Sequence, residues 1–168
     1  MPDDRVASAL VARRGDTQRA LRVGLLVLAM PPSLLGLWAS LDPAGFFAAF
    51  PGLGLHWVDL LPPYNEHLVR DVGGLCLGQA VLLLVAAAWP ERTLVRAALI
   101  ASLATAVPHL LFHVTHVDGW GASDAILQAA TLGVPAVLPA VLLLLDVRRS
   151  GTYPPARARP AANSSEGV

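Results

Sequence analysis

Residues 68–89 read LVRDVGGLCLGQAVLLLVAAAW, and beyond Asp71 this stretch carries no charge. Crossing the hydrocarbon core of a bilayer takes about 20 mostly apolar residues in helical form. The run therefore reads as a membrane-crossing helix. Working outward from it, Val23–Leu41, Leu94–Val114 and Ala125–Leu145 satisfy the same requirement, giving four spans.

Composition agrees with that class. Of the 168 residues 55% are hydrophobic and only 14% charged, against about a quarter charged in an average soluble domain. The length suits one domain. A formal net charge of zero argues against a nucleic-acid-binding surface. All twelve basic residues are arginine. With the abundance of Ala, Leu, Val, Gly and Pro, this composition points to a high-GC genome such as an actinobacterium's. The single cysteine, Cys76, rules out an intramolecular disulfide and any Cys-x-x-Cys redox or zinc motif.

Positive charge sets the expected orientation. Arg5, Arg13, Arg14, Arg19 and Arg22 precede the first span, Arg92 and Arg96 flank the turn between the second and third, and Arg148, Arg149, Arg157 and Arg159 follow the fourth. Both termini are expected in the cytoplasm of a multi-pass cell-membrane protein, with the other two connections facing outward. Trp38-Ala39-Ser40 weakly resembles a signal cleavage site. The apolar run before it is longer than a signal peptide's, however, so the first helix is expected to stay uncleaved.

The expected fold is an all-α four-transmembrane-helix up-down-up-down bundle. Residues 1–22 form an arginine-rich cytoplasmic segment with a short interfacial helix. Residues 23–147 form the membrane domain, and residues 148–168, rich in Pro, Ala, Ser and Arg, form a disordered tail. The connection from Asp42 to Pro63 contains Phe46, Phe47, Phe50 and Trp57 among prolines and glycines, and reads as a re-entrant or surface-lying lid over the outer end. Pro31, Pro32, Pro135 and Pro139 predict kinks in the first and fourth helices. Gly74 and Gly78 form a GxxxG pattern expected to pack within the bundle.

Chemistry-bearing residues concentrate at the outer end. His109, His113 and His116 lie at i, i+4 and i+7, which puts three imidazoles on one face of the third helix. The second helix opens with Asn65, an expected N-cap, then Glu66, His67, Arg70 and Asp71. Glu66 with Arg70 and His67 with Asp71 are complementary i, i+4 pairs. Asp124 is expected to cap the fourth helix. Two imidazoles one turn apart can face a single ion, so His109, His113, His116 and Glu66 are candidate ligands of a divalent metal. Asp71 could orient His67. The alternatives are a hydrogen-bonded network or ligand pocket built from Glu66, His67, Arg70, Asp71, His109 and His113, a b-type haem held by His67 and His109, or quinone chemistry. Gln79 and Gln128 can hydrogen-bond across the bundle, and His56 reads as a solvated interface residue.

The stretch from Pro63 to Gly74, PYNEHLVRDVGG, with Pro108-His109-Leu110-Leu111-Phe112-His113, resembles a group of uncharacterised actinobacterial four-helix membrane proteins. More distantly, the helix count and glycine-rich second helix are similar to the DoxX-like membrane proteins. The resemblance implies Glu66, His67, Arg70, Asp71, His109 and His113 as signature positions. The leading functional expectation is a binding or accessory membrane protein whose outer pocket holds a small molecule, a lipid headgroup or a membrane-protein partner. The competing expectations are a metal- or quinone-dependent oxidoreductase and a structural subunit of a membrane complex.

Overall fold

A computed structural model describes residues 2–61 and 63–150. Apart from one two-residue-per-strand hairpin it is all helical: α1 (Pro2–Leu41), α2 (Pro43–Ala49), β1 (Pro51–Gly52), β2 (Leu55–His56), α3 (Glu66–Ala88), α4 (Arg92–Thr115) and α5 (Ala122–Ser150). Four helical stretches are long and apolar enough to cross a membrane, namely Gly15–Leu41, Glu66–Ala88, Arg92–Thr115 and Ala122–Val147.

Three expectations are corrected here. Residues 2–22 do not form a separate interfacial helix, because α1 runs unbroken from Pro2 into the first span. No strong breaker interrupts that stretch, and Gly15 alone costs a helix only about 1 kcal/mol. The lid contains regular structure of its own: Asp42 caps α2 by accepting from Gly45 N at 3.0 Å, with Pro43 in the first turn, and the hairpin follows. Asp124 lies inside the first turn of α5, where its charge suits the helix dipole, because the helix has already begun at Ala122. Of the expected tail, residues 148–150 instead close α5, and the rest lies outside the described residues.

The core sits at the end where the arginines gather. Leu21, Leu25, Leu28 and Ala29 of α1 interlock with Leu83, Ala86 and Ala87 of α3, Val95, Ala98 and Leu99 of α4, and Leu142 of α5. Large side chains such as Leu26, Leu34, Leu84, Ile100, Ile126 and Leu144 point away from it and are exposed. Such an apolar exterior suits lipid, where burying apolar area gives no net drive and close packing must hold the helices.

Close packing is visible between α1 and α3. A Cβ on Gly36 would meet the Gly73 carbonyl oxygen and the Leu77 backbone nitrogen at 2.9 Å, and one on Gly73 would meet Ser40 N at 2.9 Å. The GxxxG expectation is therefore displaced. Gly74 and Gly78 have no neighbour within 4 Å of an added Cβ, because one residue of helix turns them about 100° from the face bearing Gly73 and Leu77. The α3–α4 contact includes Gln79 Nε2 donating to Ser102 Oγ at 2.8 Å. The packing of α4 on α5 includes an ion pair, Arg96 Nε to Asp146 Oδ2 at 2.7 Å.

Candidate functional site

At the end opposite the core, a second cluster joins Ala39, Phe46 and Val69 with Leu35, Trp38, Phe47, Phe50 and Val58. It docks the lid on α1 and α3. The Trp38 and Phe46 rings meet edge to face with centroids 5.7 Å apart, and Phe46 lies 5.0 Å from Phe50. His56 Nδ1 lies 2.7 Å from the Ala48 carbonyl oxygen, which ties the hairpin to α2. Trp57, buried at 6% exposure, reaches across to Trp120 in the α4–α5 connection, 6.3 Å between ring centroids.

The polar residues of α3 are satisfied locally. Asn65 caps the helix by accepting from Leu68 N at 3.1 Å. Arg70 donates to Glu66 Oε1 at 2.9 Å and also to the Ser40 carbonyl oxygen in the last turn of α1. A carbonyl there has no partner within its own helix, so Arg70 is a clamp between α3 and the end of α1. His67 lies 3.3 Å from Asp71 and is the most exposed member of the group.

The imidazoles of α4 have a different setting. The buried residues of α4 are Val95, Ala98, Leu99 and Ser102. At about 100° per residue, the same stripe continues through Ala106, His109 and His113. The stripe that packs the bundle at one end thus carries histidines at the other, where His109 is exposed and His113 half-buried. The facing stripe of α3 behaves likewise. Continuing from Gln79 away from the core it holds Leu75, Val72 and Leu68, exposed at 75%, 43% and 60%. Beyond the Gln79–Ser102 bond, the apolar wall of α3 is exposed and the imidazole wall of α4 is covered in part, at His113.

The His109 and His113 rings lie 4.8 Å apart, centroid to centroid, and His113 meets Trp120 edge to face at 6.2 Å. The buried Gln128 side chain of α5 lies beside His113. His116 turns back on its own helix: it stacks on Phe112 at 4.3 Å, and its Nδ1 lies 2.9 Å from the Phe112 carbonyl oxygen.

Glu66, His67, Arg70 and Asp71 therefore form one group on α3, and His109 with His113 another on α4. Among the described residues no hydrogen bond, ion pair or ring contact joins the two groups. Nor do any three His, Cys, Asp or Glu side chains among them gather closely enough to hold a metal ion. His109 and His113 supply two imidazoles at most, while Glu66 is bonded to Arg70 and His116 to its own helix.

The sequence reading did not pick out two features. Trp57 Nε1 is a buried donor with no hydrogen-bond partner, and Asp146 is a buried carboxylate held by Arg96. An aspartate closing the apolar run of α5, just before Arg148 and Arg149, was a signal for the second. The first depends on how the lid folds. No family model, curated protein or solved structure matches this chain.

Proposed function

We propose that this chain is a multi-pass protein of the cell membrane with an up-down-up-down helix order, both termini cytoplasmic, and a binding or accessory role carried at its outward-facing end. The asymmetry of arginine supports the orientation: Arg70 is the one arginine at the histidine end, and every other lies at the ends of the chain or beside the α3–α4 turn. The likeness of residues 63–74 to actinobacterial four-helix membrane proteins and to DoxX-like proteins belongs to this proposal.

The observation that carries the binding role is the partly covered continuation of the α4 packing stripe as His109 and His113. A polar group within a span normally faces the bundle interior or a water-filled cavity, and it is a functional-site hypothesis by default. Here it faces the interior in register, with Trp120 of the α4–α5 connection and Gln128 of α5 against His113 while His109 stays exposed. A small molecule, a lipid or a membrane-protein segment would complete the packing.

Two measurements test the reading. A reporter active only outside the cytoplasm should be active when fused after Trp120 and silent after Arg92. The reverse result overturns the orientation. Imidazole NMR signals of the chain in nanodiscs should show saturable shifts of His109 and His113 on addition of extracted membrane lipid or metabolite fractions, with His67 unmoved. Unmoved signals throughout would remove the binding role.

The second reading, a metal- or quinone-dependent oxidoreductase, is favoured by the His109–His113 ring pairing alone. It requires further ligands from a partner or substrate.

A further inference from the structure

His109 and His113 stand apart from the other three histidines. A ring nitrogen of His56 lies 2.7 Å from the Ala48 carbonyl oxygen, one of His67 lies 3.3 Å from Asp71, and one of His116 lies 2.9 Å from the Phe112 carbonyl oxygen. Among the described residues His109 makes no hydrogen bond or ion pair. The ring it meets is that of His113, 4.8 Å away between centroids with the planes tilted by 36°.

That spacing suits two nitrogens facing one ion. Metal–nitrogen bonds of about 2.1 Å in the ring planes put an ion about 3.2 Å from each centroid, so two imidazoles at about 90–110° around it have centroids about 4.5–5.2 Å apart. The observed separation falls inside that window. Residues at i and i+4 share a helix face, so the second ligand is in place when the first binds. The Gln128 amide, 7% exposed, lies beside His113. It carries an oxygen of the kind to which metal-bound imidazoles give their other N–H.

Charge selects the sign of the ligand, and donor type its identity. Asp42, Asp59, Glu66, Asp71, Asp118 and Asp124 lie at this end, against Arg70 as its one arginine. Six acids against one arginine make the approach negative, which concentrates cations. Imidazole suits zinc, nickel and copper, whereas magnesium and calcium take oxygen ligands. Both histidines lie in the last two turns of α4, which ends at Thr115, so an ion reaches them from the side where the acids are.

Building on the binding role above, we propose that His109 and His113 chelate one divalent transition-metal ion of the zinc–copper class at the lid end of α4. Two imidazoles from one helix hold the ion, and its remaining positions are open to solvent or a small ligand. Such an open site exchanges ligands, unlike a closed structural site of four protein ligands.

The test titrates Cu²⁺ into the full chain in phosphatidylcholine nanodiscs. Binding should saturate at one ion per chain, with electron paramagnetic resonance showing coupling to two nitrogens. His109→Ala and His113→Ala should each weaken half-saturation about a hundredfold, because each removes a ligand already tethered to the other. His56→Ala, His67→Ala and His116→Ala should bind as the wild type does, and excess Mg²⁺ should not compete. Loss of the unfolding transition in either site variant would shift the test to the wild-type chain and Zn²⁺. The imidazole nitrogen NMR signals of His109 and His113 should then move together up to one equivalent, with His67 unmoved. Absence of saturable binding, displacement by Mg²⁺, undiminished binding in a folded His109→Ala variant, an equal loss in His67→Ala, or unmoved His109 and His113 signals overturns the metal assignment. The binding role still stands in each case unless lipid and metabolite fractions also leave the imidazole signals unmoved.

Discussion

Arg96 and Asp146 form an ion pair between α4 and α5, with Arg96 Nε donating to Asp146 Oδ2 at 2.7 Å. The aspartate side chain is 5% exposed and the arginine 37%. A buried carboxylate keeps its charge only if the pairing is close and the remaining lone pairs are met. Removing Arg96 takes an ion-pair partner from a buried carboxylate, whereas removing Asp146 leaves an arginine that still reaches solvent. Arg96→Met should destabilise the protein by about 3 kcal/mol and Asp146→Leu by less. The Arg96→Met/Asp146→Leu double variant should recover part of the Arg96→Met loss, since the buried carboxylate goes with its partner. Denaturant titrations in mixed micelles read the difference. Equal additive losses in the double variant would show that the pair is not coupled.

The glycines of α3 separate two kinds of helix face. Gly73 touches the α1 backbone, while Gly74 has open space where a side chain would go. Gly73→Val must push α1 away, and should cost about 1–3 kcal/mol, the range for overpacking. Gly74→Val should lie within about 0.5 kcal/mol of wild type in the monomer, as for exposed positions. Unfolding midpoints of the two variants under identical micelle conditions check this. A large loss in Gly74→Val would mean that the face is covered in the solubilised protein.

Arg70 illustrates why an ion pair can matter less than the carbonyl beside it. Its bond to Glu66 is exposed, and such pairs contribute about 0–1 kcal/mol. Its bond to the Ser40 carbonyl oxygen instead pins the end of α1 to α3. Glu66→Gln should therefore be nearly neutral, whereas Arg70→Gln should loosen the last turn of α1. Hydrogen exchange of the Leu41 and Asp42 amides is the readout, since Asp42 N donates to the Trp38 carbonyl oxygen in that turn. Faster exchange in Glu66→Gln than in Arg70→Gln would reverse the assignment.

The spans were legible because a helix in lipid must be apolar all round over a set length, and length and hydropathy are properties of sequence. The Asn65 cap and both i, i+4 pairs on α3 were legible because they are local. The choice between Gly73 and Gly74 as the packing surface was not. It depends on the rotation of α3 against α1, and a run of Gly-Gly with Gly78 fits several rotations. The histidine stripe was legible as a face but not as the partly covered end of the packing face. That distinction required knowing that the α4 core ends at Ser102. The meeting of Trp57 with Trp120 depends on the path of a lid whose hairpin turns on Gly52, Leu53 and Gly54, all at positive φ.

The Gln79–Ser102 bond joins α3 and α4 below the exposed α3 wall and the imidazoles, and its two ends are not equivalent. Ser102 Oγ accepts from Gln79 and donates to the Ala98 carbonyl oxygen at 2.9 Å. If Gln79 is replaced by Leu, the hydroxyl keeps its backbone acceptor and nothing is orphaned. Interhelical bonds of this kind in membranes average about 0.6 kcal/mol, so Gln79→Leu should cost about that much. If Ser102 is replaced by Ala, the Gln79 amide loses its acceptor in an apolar setting, and the cost should rise to about 1–2 kcal/mol. Ser102→Thr, which restores a hydroxyl, should recover most of the loss. Denaturant titration of the three variants gives the ordering. A loss in Gln79→Leu as large as that in Ser102→Ala would mean that the amide has other partners, and the bond would not be what holds α3 to α4 below the imidazoles.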